Sequence, residues 1–245
     1  MANVLHSAFL LFRMKREQWN SPEELRSLQE ERLRGMVRYA SGHVPIYMKT
    51  LSGRSVRSLE DLAGVPFTSK SELRNSPESF IARHLRKERL QRKVTSGSSG
   101  MPVSVYFDGH DSDYHLALEY LHMTEAGVGP FDRQAHLTYF SLPPHPLQRL
   151  GLFRRSYLSF YDDEGKNIEK LKRLRPSVLH CYPSFLVPLA KANLSGGHGF
   201  SVRTIFSSAE VLSPWARSLI CSSFGCYLRD IYVNTESSWV AWQCE

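Results

Sequence analysis

The sequence predicts an α/β protein, with mainly parallel sheets flanked by helices. From residue 103 onward, short stretches rich in β-branched and aromatic residues alternate with amphipathic stretches of about ten residues, the order expected of β-α-β units. Gly and Pro separate many of these stretches, where helices commonly end or begin. The composition is that of a globular chain, with 42% hydrophobic and 22% charged residues among 245. This length allows one large domain or two small ones.

The part of the chain before residue 95 is predicted to be mainly helical. The motif S-P-E-E beginning at Ser21 is typical of a helix start, and an apolar face follows it up to Gly42. Residues 58–62 predict a short helical turn, and S-K-S-E beginning at Ser69 has the spacing of a capping box. Residues 1–20 are interpreted as an extension that precedes the main domain, residues 21–245.

The second part of the chain is predicted to alternate strands and helices. Pro188 is expected within the first turn of its helix, where proline is tolerated. The predicted order is strand 103–107, helix 113–127, strand 135–142, helix 165–176, strand 177–182, helix 183–194, strand 203–208, helix 214–225, strand 226–232 and strand 238–243.

The net charge of +7 favours anionic partners, which include nucleic acid, anionic lipid and phosphorylated small molecules. No nucleic-acid partner is predicted, because the sequence shows neither a reader motif nor basic residues interleaved with aromatic ones. The apolar run at residues 4–12 is much shorter than the roughly 20 residues of a membrane span. It is interpreted as a docking segment, or as an upstream extension, because Met14 is an equally suitable start.

The four cysteines form no C-x-x-C pair and lack the spacing of a metal site. They are interpreted as reduced thiols in a cytoplasmic protein. His180 and Cys181 are interpreted as packing residues of a strand.

The motif T-S-G-S-S-G-M-P at residues 95–102 is the most unusual stretch of the sequence. Small side chains let backbone N–H groups converge on phosphate oxygens, so the motif is compatible with a phosphate-binding loop. Neither the Walker pattern nor G-x-G-x-x-G is present. On spacing alone, a flexible linker remains an equal alternative.

Several stretches together resemble the adenylate-forming, or AMP-binding, superfamily. V-T-S-G-S-S-G-M-P resembles its phosphate-binding signature, and residues 205–244 are similar to the segment that binds adenine and Mg²⁺, with an S-A-E turn and a Y-x-x-T-E motif. L-E-D-L-A-G-V-P-F-T-S-K-S-E-L-R and R-P-S-V-L-H-C-Y-P-S-F-L-V-P-L-A resemble the phenylacetate–coenzyme A ligase branch. That branch includes deazaflavin-coenzyme adenylating synthetases and capsule-biosynthesis relatives. The resemblance runs from about residue 16 to residue 244.

The resemblance implies a role for each motif. The β- and γ-phosphates of ATP would be surrounded by Thr95, Ser96, Gly97, Ser98, Ser99 and Gly100. The adenine would lie along Ser208, Ala209 and Glu210 and stack on Tyr232.

The remaining implied residues lie at the reacting groups. Thr235 would contact the α-phosphate and Glu236 would hold Mg²⁺, which prefers hard oxygen ligands. Tyr182 and Pro183 would border the acyl pocket. Taken alone, Glu236 is typical of a solvated loop carboxylate and Tyr232 of a core residue.

The sequence departs from the family pattern at several positions. Ser99 replaces the usual Thr, Met101 stands where many members have Lys, and Val233 replaces a Gly. Because a β-branched residue resists positive φ, Val233 is expected to reshape the adenine turn. The sequence ends nine residues after Glu236. The sequence is therefore expected to be an incomplete, N-terminal part of the AMP-binding domain. It would lack the ribose-binding acid, the hinge and the lysine-bearing C-terminal lobe of the family, and is expected to catalyse the reaction only slowly on its own.

The function implied is ATP-dependent activation of a small carboxylate as an acyl-adenylate, followed by thioester formation with coenzyme A. Adenylyl transfer to a coenzyme hydroxyl and a catalytically inactive truncated homologue remain alternatives. A separate C-terminal lobe and a second copy of the chain are the protein partners considered.

Overall fold

The computed structural model describes residues 3–95, 102–138, 146–196 and 201–244. The chain forms two compact units, Met1–Ala117 and Leu118–Glu245. The boundary at residue 20 that the sequence suggested stays a prediction.

The first unit is mainly helical. Ser69 forms the predicted capping box with Glu72, and the predicted helix start at Ser21 is also a capping box, with Glu24. Its helices are α1 (Val4–Glu17), α2 (Pro22–His43), α3 (Pro45–Thr50) and α4 (Lys70–Asn75), joined by 3-10 turns at Glu60–Gly64, Pro77–Phe80 and Lys87–Arg89.

A two-stranded antiparallel hairpin completes the first unit. It pairs β1 (Gln91–Val94) with β2 (Ser104–Phe107). Helix α5 (Gly109–Glu125) follows and begins four residues before the predicted start. Asp108 and Asp111 explain the earlier start, because each carboxylate accepts a hydrogen bond from the other residue's backbone N–H.

The second unit is a six-stranded sheet in the order β4-β3-β5-β6-β7-β8. The first five strands are parallel and β8 is antiparallel to β7, so the predicted α/β class with a mainly parallel sheet is confirmed. The strands are β3 (Gln134–Thr138), β4 (Arg155–Ser159), β5 (Val178–Cys181), β6 (Thr204–Ser208), β7 (Tyr227–Asn234) and β8 (Ser238–Trp242).

Helices cover one face of this sheet. They are α7 (Glu164–Leu174), α8 (Pro183–Gly196) and α9 (Pro214–Phe224). The short helix α6 (Pro146–Arg149) precedes β4 in the chain. The core joins side chains of the strands to these helices, for example Leu179 and Ile205 to Leu189 and Ile220. The predicted helix 214–225 is present as α9, which Ser213 caps and Gly225 ends in the left-handed conformation.

Two details differ from the sequence-based expectations. Strand β4 was not predicted, and Pro188 lies inside α8 instead of in its first turn, so the bond to the carbonyl of Ser184 is lost there. Of the predicted strand 135–142, residues 139–142 lie outside the described part of the chain.

The four cysteines are free thiols. No helix in the described ranges has both the length and the apolar character needed to cross a bilayer.

Candidate functional site

The carboxyl ends of β5, β6 and β7 lie side by side in the second unit. In the register of the sheet, Cys181 is opposite Ser207, and Ser208 is opposite Ile231. Tyr182 follows β5, Ala209 follows β6, and Tyr232 comes one residue after the partner of Ser208. The predicted acyl-side and adenine-side residues are therefore gathered at one edge, where open α/β sheets commonly bind ligands.

The S-A-E turn after β6 is braced against helix α8. Both oxygens of the Glu210 carboxylate accept hydrogen bonds from Ser184, one from the backbone N–H at 2.8 Å and one from the hydroxyl at 2.7 Å. Ser184 is the second residue of α8, so Glu210 also supplies negative charge to the positive end of that helix. Ala209 turns the chain with φ of +67°, a conformation uncommon outside glycine.

The residues predicted to border the acyl pocket begin α8. Pro183 is buried, and the ring of Tyr182 lies 5.4 Å from that of Phe160. Phe160 and Ser184 are among the residues that line a small cavity of about 120 Å³. Tyr182 thus stands beside a cavity at the same edge of the sheet as the S-A-E turn.

Tyr232 is 63% exposed, so the alternative interpretation as a core residue is wrong. It lies on β7 opposite Ala241, at a point where the register shifts between Tyr232 and Val233. Val233 continues the strand, and the left-handed residue in this hairpin is instead Ser238, with φ of +58°. Where the family usually has Gly, this chain has Val233, and strand β7 continues through it beyond Tyr232.

Thr235 and Glu236 form the turn between β7 and β8. Asn234 shapes that turn by accepting a hydrogen bond from the backbone N–H of Ser237 at 2.6 Å. β7 continues for three residues beyond the partner of Ser208, so the turn that holds Thr235 begins roughly 10 Å further along the strand direction. The T-E pair therefore stands beyond the S-A-E turn.

Glu236 is compatible with one type of magnesium site. Its carboxylate is exposed, and no group of three or more metal-binding side chains occurs among the described residues. Mg²⁺ is often held by only one or two carboxylates together with substrate phosphates. A single carboxylate fits that mode and does not fit a site made of protein groups alone.

Thr95 lies in the first unit, where it closes the β1–β2 hairpin. Its N–H donates to the carbonyl of Val103 at 2.9 Å, and its hydroxyl accepts from the N–H of Val103 at 2.9 Å. The other predicted phosphate-binding residues, Ser96, Gly97, Ser98, Ser99 and Gly100, lie outside the described residues. The two strands that carry this motif are thus joined at its base.

A row of rings that the sequence did not reveal crosses the sheet opposite the helical core. His136 on β3 stacks on His180 on β5 at 3.8 Å, and the ring of Phe206 on β6 follows at 4.6 Å. His122 of α5 stacks on Trp239 at 4.1 Å. Alternation of side chains along each strand is the signal that places these residues on one face.

The histidines of this row are held neutral. Burial lowers the pKa of His122 to about 3, and burial lowers the pKa values of His136 and His180 well below the usual value. Arg155, which pairs with Glu119, adds positive charge nearby and lowers these pKa values further. The packing role predicted for His180 agrees with these contacts.

Comparisons with known proteins agree with the family that the sequence resembles. No family model matches the chain. A phenylacetate-coenzyme A ligase of Thermus thermophilus is 30% identical over 207 residues, which are 80% of this chain and 46% of the relative. The chain is related to the phenylacetate-coenzyme A ligases. The enzymes of that name from Aromatoleum evansii and Escherichia coli are each 27% identical over 81% and 88% of this chain.

The chain spans about half the length of these phenylacetate-coenzyme A ligases, 46–52% of each. Solved structures show the same fold. A 2-hydroxyisobutyryl-CoA ligase in the postadenylation state has a TM-score of 0.70 at 19% identity, covering 91% of this chain and 51% of that one. An open form of that ligase, in complex with 2-HIB-AMP and CoA, has a TM-score of 0.66 at 20% identity, covering 86% of this chain and 54% of that one.

Proposed function

We propose that this chain is the nucleotide-binding part of an adenylate-forming acyl-CoA ligase. It would activate a small carboxylate with ATP as an acyl-adenylate, and coenzyme A would then take the acyl group. The proposal rests on one observation above all: Tyr182, the S-A-E turn and Tyr232 meet at the carboxyl edge of β5, β6 and β7. The relationship to phenylacetate-coenzyme A ligases supplies the class of reaction.

In the proposed reaction, an oxygen of the substrate carboxylate forms a bond to the α-phosphorus of ATP. The bond from that phosphorus to the bridging oxygen breaks, and pyrophosphate leaves with the electron pair. Bound Mg²⁺ would neutralise part of the phosphate charge. The chain's own contribution is to hold and orient the two substrates, because preorganised donors lower the barrier of such phosphoryl chemistry.

The residues at this edge of the sheet would contact different parts of the two substrates. Tyr232, exposed beside the S-A-E turn, would stack on the adenine, with the backbone of Ser208 and Ala209 along the base. Thr235 and Glu236, further along β7, would face the phosphates and Mg²⁺, while Tyr182 and Pro183 would border the carboxylate substrate.

Glu210 receives a refined role in this proposal. Its carboxylate is occupied by Ser184, so it would act as a positioning residue that fixes the turn. The loop from Thr95 to Gly100 would bind the β- and γ-phosphates, as its motif implies.

Nucleotide binding by the 245-residue chain tests the site directly. We expect Tyr232→Ala to weaken ATP binding by about 5- to 150-fold, since base–aromatic stacking contributes about 1–3 kcal/mol per base. Tyr227→Ala is a matched control, because Tyr227 lies on the same strand at its other end and is 72% exposed. Isothermal titration calorimetry with a non-hydrolysable ATP analogue and Mg²⁺ gives both affinities. Equal affinities of the two variants would contradict the proposed adenine site.

Two further variants separate the phosphate and metal roles. Glu236→Gln should lower the Mg²⁺-dependent part of the affinity, with Glu169→Gln as a control at another exposed carboxylate. Ser98→Ala combined with Gly100→Val should weaken nucleotide binding through the loop.

The reaction itself is measured by carboxylate-dependent ATP–pyrophosphate exchange, with phenylacetate in the first panel of acids. Exchange without thioester formation, but with an adenylyl ester of a hydroxyl acceptor, would favour adenylyl transfer instead. Binding without any exchange by this chain would agree with the expectation that it turns over slowly alone.

A further inference from the structure

Helix α1 carries an apolar stripe that its own unit does not cover. Leu5, Phe9, Phe12 and Trp19 recur at spacings of four, three and seven residues, and their exposed fractions lie between 61% and 83%. Residues at such spacings share one side of a helix. Trp19 lies in the turn directly after the helix and continues the stripe.

The opposite side of α1 holds the helix on the first unit. Ser7, Leu10 and Met14 are buried there, about half a helical turn away from the stripe. Asp113 of α5 secures the start of the helix, because its carboxylate contacts the backbone N–H of Asn3 and lies 2.8 Å from Nδ1 of His6. Two separate apolar surfaces therefore share one helix, and the anchored inner side turns the stripe outward.

The exposed apolar area of this stripe is larger than that of isolated apolar residues on a protein surface. Its three aromatic rings together expose on the order of 400 Å², taking 150–250 Å² for a whole aromatic side chain. Exposed patches of about this size on monomers are often functional. Amphipathic helices that lie in the membrane interface have the same arrangement, an apolar side bordered by basic residues.

Cations border the stripe, and the one acid of α1 is already paired. Arg13 and Arg16 are exposed beside Phe9 and Phe12. Glu17 lies 3.5 Å from Arg13 and also pairs with Arg32. Arginine can extend its charged group to lipid phosphates while its stem stays among apolar groups, and tryptophan is favoured at that boundary.

We propose that α1 docks onto an anionic lipid surface through Leu5, Phe9, Phe12 and Trp19, with Arg13 and Arg16 at the headgroups. Charge complementarity favours this occupant over a second copy of the chain. Two stripes packed together would bring the arginines of two chains of net charge +7 into one contact, without a free carboxylate of α1 to meet them. The inference is independent of the proposed enzymatic function.

Flotation of the 245-residue chain with vesicles tests the proposal. We expect binding to vesicles of 30% phosphatidylglycerol in phosphatidylcholine, and at least tenfold weaker binding to phosphatidylcholine alone. Phe9→Gln combined with Phe12→Gln should lower binding to the anionic vesicles at least tenfold, and so should Arg13→Gln combined with Arg16→Gln. Glutamine is a good helix former, and circular dichroism checks that the helix content is kept.

A matched control removes exposed apolar side chains elsewhere. Met36→Gln combined with Leu194→Gln changes two exposed residues on α2 and α8 and should leave vesicle binding unchanged. Tryptophan emission should shift to the blue on addition of vesicles, and Trp19→Phe should abolish most of that shift.

Three results would overturn the proposal. The first is the absence of binding to anionic vesicles, and the second is equal binding by wild type and the Phe9/Phe12 variant. The third is a dimer, seen by light scattering, that the Phe9/Phe12 variant dissociates while vesicles bind neither form, which would assign the stripe to a second copy.

Discussion

At the scale of single residues, the contact between Ser184 and Glu210 is the most specific feature of the site. One carboxylate accepts two hydrogen bonds from one residue 26 positions away and also faces the start of α8. A charged acceptor strengthens hydrogen bonds, and exposure to water reduces their net contribution.

We expect Glu210→Ala to lower the free energy of unfolding by about 1 kcal/mol, because two donors and a helix start lose their partner. Ser184→Ala removes only the hydroxyl bond and should cost less. Urea unfolding of both single variants and the double variant gives the coupling energy, expected at about 0.5–1 kcal/mol.

Glu169→Ala provides the comparison, since Glu169 is an exposed carboxylate of α7 paired with Lys172. Its cost should stay below about 0.5 kcal/mol, as for most surface substitutions. A coupling energy near zero for Ser184 and Glu210 would show that the brace does not stabilise the turn.

At the scale of elements, the histidine row makes the sheet sensitive to acid. The pKa values of His122, His136 and His180 are lowered in the folded state, so the unfolded chain binds more protons below its histidine pKa of about 6.5. Stability is therefore full above about pH 6.5 and falls as the pH decreases towards the lowered values.

We expect the free energy of unfolding to decrease by about 1.4 kcal/mol for each of these histidines when the pH is lowered from 7.5 to 5.5. His180→Phe should remove one such contribution, because phenylalanine keeps the stacking and cannot be protonated. Urea unfolding followed by tryptophan fluorescence measures this, since Trp239 stacks on His122.

Phe206→Leu is the control, because it changes a ring of the same row that carries no titratable group, so its cost in stability should be the same at both pH values. A slope that His180→Phe does not alter would indicate that other groups cause the acid sensitivity.

The elements that the sequence predicted are those with local signals. The helix start at Ser21, the capping box at Ser69 and the end of the predicted helix 214–225 at Gly225 depend on residues within one turn, and the structure has all three. The resemblance to the family also implies that the S-A-E turn and Tyr232 lie near one another, and Tyr232 comes one residue after the partner of Ser208 in the sheet. The reciprocal cap of Asp108 and Asp111 is an equally local signal, and it explains why α5 begins before the predicted start.

Features that depend on distant partners could not be predicted. Nothing near Glu210 in the sequence indicates that Ser184 binds both of its oxygens. Strand β4 has few apolar residues, and its place at the sheet edge follows from pairing with β3. The stacking of His136 on His180 likewise requires the strand order, which a single sequence does not specify.

At the scale of the whole molecule, β8 forms one edge of the sheet. In the part of the chain that the structure describes, β8 pairs only with β7, and its sequence S-W-V-A-W carries no charge. Unpaired backbone groups on an uncharged edge strand are a template for pairing with other chains.

We expect concentration-dependent self-association of this 245-residue chain, and Val240→Lys should shift its onset to a higher concentration. Val240 is exposed on β8, so a lysine there disfavours edge pairing without entering the core. Val211→Lys introduces the same charge at an exposed loop position and controls for net charge. Static light scattering over a dilution series compares the three proteins. Identical onsets for the two variants would show that the edge is not the contact.

The brace between Ser184 and Glu210 also has a thermodynamic consequence for a reaction with two substrates. The turn after β6 and the start of α8 share this contact, so a ligand that shifts one element changes the free energy of the other. Under the proposed function, the nucleotide would alter the affinity for the carboxylate, and the carboxylate would alter the affinity for the nucleotide by the same factor. The synergy between the two substrates would then depend on a single pair of side chains that need not touch either of them.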